Sequence, residues 1–192
     1  MDSSPIVPII AIVLLIVFSA YFSATETAFS SLNRIRLKNM ASDGNKRAQL
    51  TLKIADQYDR LLSTILIGNN IVNICSTSIA TVVFIAWLGP SIGPTASTVI
   101  MTIVVLIFGE ISPKSLAKEA PERFAMFSAP ILRIFLTILA PLNFLFSQWK
   151  RLLSHFFPSD AETGITEDEL LTIVDEATSD GTFDEQESDL IR

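Results

Sequence analysis

Two stretches of this chain carry no charged residue: 3 to 25 and 61 to 109. The first is long enough for one helix across a bilayer. The second, at ~1.5 Å per residue, would run roughly 74 Å as a single helix, against a hydrocarbon core of about 30 Å, so it must fold back once. The reversal is marked at Leu88-Gly89-Pro90-Ser91-Ile92-Gly93-Pro94, where two glycine–proline breaks fall close together. The pattern predicts three transmembrane helices, at about 5–31, 61–87 and 95–117.

Residues 124–149 are apolar but divided. Arg133 lies near the middle, Pro130 and Pro141 interrupt the helix, and the flanking uncharged runs of 9 and 16 residues fall short of the ~20 needed to span. This predicts a Pro-interrupted amphipathic belt helix over about 121–156, along the cytoplasmic interface or against a partner's spans. A kinked fourth span is the alternative. It would carry Lys150, Arg151 and all that follows to the outside, against the charge rule. His155, beside Phe156 and Phe157, is read as interfacial. Pro158-Ser159-Asp160 then opens a linker, after which Thr166 and Glu169 form a capping box at a helix start. Asp184 to Arg192 reads as a second short helix cut off by the end of the chain, so further domains are expected beyond it. The expected class is an all-α integral membrane protein: a transmembrane domain over 1–157 and a short cytoplasmic helical segment over 158–192.

Charge sharpens this division. The net charge of −6 conceals 12 acidic residues and one basic from Asp160 onward, while the preceding 159 residues carry 13 basic and 8 acidic. The acidic run reads as a solvated helical face and lacks the spacing and central glycine of an EF-hand. No Lys or Arg precedes the first apolar run, which argues against a cleaved signal peptide. Seven cations from Arg34 to Arg60 follow it, and Lys114, Lys118 and Arg123 close the third span. By the positive-inside rule both groups are cytoplasmic. The expected location is the plasma (inner) membrane, multi-pass, with the N-terminus outside and the C-terminus cytoplasmic. The single cysteine, Cys75, is expected to be a small buried hydrophobe.

Candidate chemistry centres on Glu110, the one charge between Arg60 and Lys114. A carboxylate at membrane depth is costly without compensation and points to an ion or proton pathway. Polar stripes occur on the other spans: Ser23, Thr27 and Ser30 with Glu26 at the edge, and Ser63, Asn70 and Thr77 with Asn73 a turn from Asn70. These stripes could serve only as packing glue between helices. A Glu110–Lys114 pair along one helix is the sharpest structural alternative to a cation site. Pro113 has no N–H, so the carbonyl of Gly109 loses its helical partner, as in the broken helices through which many transporters hold cations. Glu110, the Gly109 carbonyl, Asn70 and Ser23 would together be hard oxygen ligands, suited to Mg²⁺, Ca²⁺, Na⁺ or Mn²⁺ rather than Zn²⁺ or Cu⁺. Nothing in the spans resembles a nucleophile–base pair or a catalytic carboxylate pair, so an enzyme is not expected.

FSATETAFSSL, IGNNIVNI and FGEISPKSLA, in this order on three successive spans, resemble the transmembrane domain of the CorC/CNNM magnesium transporter family. The resemblance covers about 5–157, and 160–192 is similar to the acidic helical bundle that follows there. It implies three spans with a cytoplasmic-side belt helix, a homodimer, and an inward-facing Mg²⁺ site. The site residues it implies are Ser23, Asn70 and Glu110, with main-chain oxygen near Gly109, and Ser30 and Asn73 as further candidates. Pro113, Lys114 and Glu26 would be structural or gating residues. Family members are similar to Mg²⁺ exporters with Na⁺ as a proposed counter-ion, though some are argued to regulate other transporters instead. They usually continue into CBS domains that bind ATP; these are missing here, so no ATP binding is expected of this chain.

Overall fold

Long apolar runs with few helix breakers dictate helices, and the computed structural model, which describes residues 6–156, is helical almost throughout, with no strand among the described residues. It divides into two compact units at Gln148 and Trp149; the packing described below lies within the first. α1 (Ile6–Ser31) is charge-free apart from Glu26. Its first half exposes Val7, Ile10, Val13, Leu14 and Val17, apolar side chains that need lipid rather than water around them. From Ser19 to Phe29 most of its residues are buried. The chain is an all-α membrane protein.

α4 (Tyr58–Val104) contains the expected reversal. Its helical path is broken at Gly89, where φ is +81° and ψ 170°, a left-handed conformation that favours glycine. Pro90 follows as the first residue of the returning arm, the helix position where its missing N–H costs nothing. The break is one residue rather than the seven anticipated, so both arms run closer to the turn than expected. The arms pack tightly there. A Cβ on Gly93 would lie 2.7 Å from both Cα and N of Ile85, and the Thr81 and Ser97 hydroxyls are 3.1 Å apart. The returning arm continues through a π-helical turn (Val105–Ile111) into α5 (Ser112–Glu119).

Between the first two apolar segments, two short helices occupy the basic loop, which charge reading alone had treated as a connection. α2 (Arg34–Ser42) starts at Asn33, whose side chain accepts from the Arg36 amide at 3.0 Å. α3 (Lys46–Ala55) starts at Asn45, which accepts from the amides of Arg47 and Ala48 at 3.0 and 3.2 Å. These caps occupy amides that a helix start leaves without partners. Leu37, Ala48 and Met126 form a small buried cluster that docks the pair on α6.

The expected belt is two helices, α6 (Pro121–Ile138) and α7 (Ala140–Phe156). They are bent by 70° about Leu139. Pro130 is absorbed within α6, whereas Pro141 sits in the first turn of α7, where its lack of a donor is harmless. The main core joins α1, the first arm of α4, and α6 through Phe22, Leu61, Ile65 and Leu132. Ala24 and Ala28 on α1, and Ala125 and Ala129 on α6, are also buried there; small residues one turn apart let helices approach closely. Tyr21 ties the two helices by donating to the Ser128 carbonyl at 2.9 Å. The acidic segment 158–192 lies outside the described residues. Cys75, expected to be buried, is exposed on the outer surface of α4.

The close approach at the hairpin gives a direct test. Gly93→Ala is expected to destabilise the protein by about 1–3 kcal/mol through backbone displacement, read as a lower unfolding temperature in detergent. A variant as stable as wild type would mean that the arms separate freely at the turn.

Candidate cation site

Polar side chains of α1 and α4 meet at the start of the buried half of α1, against the backbone of the π-helical turn. Ser19 Oγ donates to Asn69 Oδ1 on α4 at 3.1 Å, and Asn73 Nδ2 approaches the same oxygen at 3.5 Å. On the third side stands Gly109 of the π-helical turn, where an added Cβ would lie 2.8 Å from Ser19 Oγ. Only a glycine permits that approach. The rotation of α4 is set just below, where the Phe22 ring occupies the space above Gly68; a Cβ there would meet ring atoms at 2.4 to 2.9 Å. Asn69 and Asn73, one turn apart, then share one helix face.

Two acceptors in this region stand without partners. Ser23, one turn after Ser19, is fully buried, and its Oγ has no hydrogen bond among the described residues. The same holds for Asn73 Oδ1. Leaving such a group unsatisfied costs about 1–3 kcal/mol. Buried polar atoms of this kind call for an explanation, such as an ion or a water.

The π-helical turn places Gly109 and Glu110. Pro113 has no amide to give, and the chain responds by widening the turn: the Ser112 amide donates to the Ile107 carbonyl, five residues back rather than four. π-Turns of this kind are frequent at functional sites. Glu110 is half-buried and has no ion pair or hydrogen bond among the described residues. Lys114, its anticipated partner, is engaged elsewhere. Its Nζ lies 3.0 Å from Glu26 Oε2 on α1. The pair within one helix gives way to a pair between helices, because α5 runs alongside α1 and offers Lys114 a carboxylate across the interface.

The other anticipated residues fall differently. Asn70 is turned away from this cluster: it is exposed, and its amide donates to the Leu66 carbonyl at 2.8 Å. With Ser63, Ile67 and Ile74 it lines a groove against Leu142 and Phe146 of α7. Asn73 thus shares its face with Asn69 and not with Asn70. Ser30 is exposed near the end of α1, bonded to the Thr27 carbonyl at 3.1 Å. Ser19 and Asn69 were missed. The available signal was their spacing, Ser19/Ser23 and Asn69/Asn73, a four-residue repeat on each of two helices. Among the described residues no group of three or more His, Cys, Asp or Glu gathers as a metal cluster. What the region holds is a set of neutral hydroxyl and amide oxygens on α1 and α4, and one carboxylate, Glu110, on the π-helical turn whose Gly109 packs against Ser19.

Comparison with known proteins agrees with a membrane protein of this build. The family model described as the Cyclin M transmembrane N-terminal domain matches residues 9–187. The chain belongs to the cyclin M transmembrane domain family. Among its relatives, a UPF0053 protein of Haemophilus influenzae is 37% identical over 100% of this chain and 46% of its own length. The UPF0053 inner membrane protein YfjD of Escherichia coli is 37% identical over 84% of this chain and 38% of its own. A Haemophilus influenzae relative named polyamine export protein is 27% identical over 95% and 46% respectively. The chain therefore spans less than half the length of these relatives.

The Ser19–Gly109 approach predicts a rescue. Gly109→Ala is expected to destabilise the protein by about 1–3 kcal/mol. Adding Ser19→Ala removes the opposing Oγ and should restore at least half of that loss in thermal unfolding, whereas purely additive losses would contradict the packing described.

Proposed function

We propose that this chain is the membrane part of a Mg²⁺ transporter, exporting the ion with Na⁺ as counter-ion, and that Glu110 is the charged group of its site. The observation that carries this reading is that Glu110 has no compensating cation among the described residues, its neighbour Lys114 being held by Glu26 at 3.0 Å. A carboxylate at membrane depth needs a positive charge or a proton, and a transported cation meets that need. Buried oxygens without partners on Ser23 and Asn73 meet a second requirement. Mg²⁺ takes about six oxygens in near-octahedral array and keeps some of its water. A site with one carboxylate and several neutral oxygens therefore holds it in part-hydrated form, and holds it weakly enough to release it.

The ligand set we favour is Glu110, Ser23, Asn69 and Asn73, with main-chain oxygen at the π-helical turn. Asn69 takes the place assigned to Asn70 on sequence alone, because it accepts from Ser19, which packs against Gly109. The protein would act as a homodimer in the plasma membrane with its basic helices α2 and α3 in the cytoplasm, as the charge distribution requires. In this setting the widened turn at 105–111 is a place where the third apolar arm can change register without losing its whole hydrogen-bond ladder.

A second reading has a specific observation behind it, the relative named polyamine export protein. A polyamine presents several ammonium groups spread along a chain. Glu110 and Glu26 are the only carboxylates on α1 and the 61–117 stretch, and Glu26 is already paired. One available carboxylate suits a compact cation better than an extended polycation.

Flux into proteoliposomes separates these readings. Glu110→Gln is expected to abolish Mg²⁺ flux while the protein remains folded; transport at the wild-type rate would sink the proposal. Asn69→Ala should weaken Mg²⁺ binding about ten-fold or more, in the range of lost metal-site contacts, and Asn70→Ala much less. The reverse order would return the site to the opposite face of α4. Spermidine flux without Mg²⁺ flux would favour the polyamine reading.

A further inference from the structure

Away from the candidate cation site, α3, the start of α4 and the end of α6 enclose a groove of about 500 Å³ lined by four cations, Lys46, Lys53, Arg60 and Arg133, with Gln57 and Thr137 among its polar walls. No carboxylate lines it. Two nearby acids face other partners: Asp56 pairs with Arg34 at 3.6 Å, and Glu122 accepts from the Asn33 amide and pairs with Arg36 at 3.9 Å. Four like charges around one concavity repel one another, and such a cleft concentrates anions.

Arg60 is held in place rather than waving in solvent. Its guanidinium donates to the Leu136 carbonyl at 3.2 Å and to Gln57 Oε1 at 3.4 Å. One of its nitrogens is thereby anchored across the groove and another to the start of its own helix, and the remaining N–H donors are of the kind that match phosphate oxygens. The wall on α6 adds a second property. Arg133 and Thr137 are followed in sequence by Ile134 and Ile138, which are 59% and 63% exposed. The groove therefore has a cationic interior and, beside it, an exposed aliphatic rim.

We propose that this groove binds the phosphate of an anionic phospholipid headgroup from the leaflet on the basic side of the membrane, with the acyl chains lying on the aliphatic rim of α6. Basic pockets at this level take anionic headgroups, and juxtamembrane cations gain from the negative cytoplasmic leaflet. A free phosphate would satisfy the cations but leave the rim uncovered, which is why the lipid is the better fit.

The test measures thermal unfolding of the whole chain in detergent with added phosphatidylglycerol, phosphatidylcholine or inorganic phosphate. Phosphatidylglycerol is expected to raise the unfolding temperature by several degrees over phosphatidylcholine, and phosphate alone to have little effect. Lys46→Gln/Lys53→Gln should remove at least half of that selective shift. These two side chains are exposed and make no ion pair among the described residues, so folding should survive. Arg60→Gln/Arg133→Gln should do the same, and Lys38→Gln, outside the groove, should leave the shift intact. An equal shift from inorganic phosphate would replace the lipid by a free anion. An undiminished shift in both groove variants would overturn the site. A loss of stability in the lysine variant that is identical in every lipid would mean that the groove holds an acidic segment of protein instead.

Discussion

A carboxylate on the first apolar helix and a lysine on the third apolar arm meet at 3.0 Å, and the arrangement of the polar interior follows from that pair. Glu26 and Lys114 are both only partly exposed, at a depth where an uncompensated charge of either sign is costly. By neutralising each other they fasten α5 to α1. That contact holds the π-helical turn against Ser19, so Gly109 can approach the serine hydroxyl and complete a three-sided polar cluster. It also withdraws Lys114 from Glu110. Had the lysine folded back along its own helix, the turn would carry a neutral pair and the region would need nothing further.

The backbone adds a second constraint that acts on the same residues. Proline at 113 forbids the ordinary helical bond to Gly109, and the chain absorbs the loss in a wider turn instead of a kink. A π-turn shifts every side chain after it by about one residue's rotation relative to those before. Lys114 is thereby aimed toward α1 while Gly109 stays flush against it. The proline, the glycine and the ion pair thus have one joint consequence, and a change in any of them alters the others.

Much of the architecture was legible because it depends on local composition. Charge-free stretches reveal apolar helices, and the 61–109 run is too long not to reverse. The break near Pro113 was legible for the same reason, since a missing N–H is a property of one residue. Helix rotation was not. Asn69 and Asn70 differ by about 100° around the helix axis, and the spacing of Ser63, Asn70 and Thr77 pointed to a face that excludes Asn69. What decides the face is a tertiary contact, the Phe22 ring seated over Gly68, between residues 46 positions apart in the chain. The partner of Lys114 was hidden for a similar reason, because Glu26 lies on another span. Helices α2 and α3 left the signals of Asn33 and Asn45 caps, but a loop read for its charge does not reveal a docking surface made by Leu37, Ala48 and Met126.

The packing gradient along α1 bears on what such a cluster can do. Above Ser19 the helix exposes large aliphatic side chains; below it, Phe22, Ala24, Ala28 and Phe29 are closed against α4 and α6. The polar cluster therefore sits at the outer edge of the close-packed region, where small movements are least resisted. A site sealed within the alanine-lined contact would bind an ion but could not release it without breaking helix packing. A site wholly among the lipid-facing residues could not keep its hydroxyl and amide oxygens oriented. At the boundary, the lower side is fixed by Phe22 and Gly68, while one flank is a widened turn with a glycine in it. For the cation site we propose, that asymmetry, rather than the number of oxygens alone, is what would let an ion be taken up and given back.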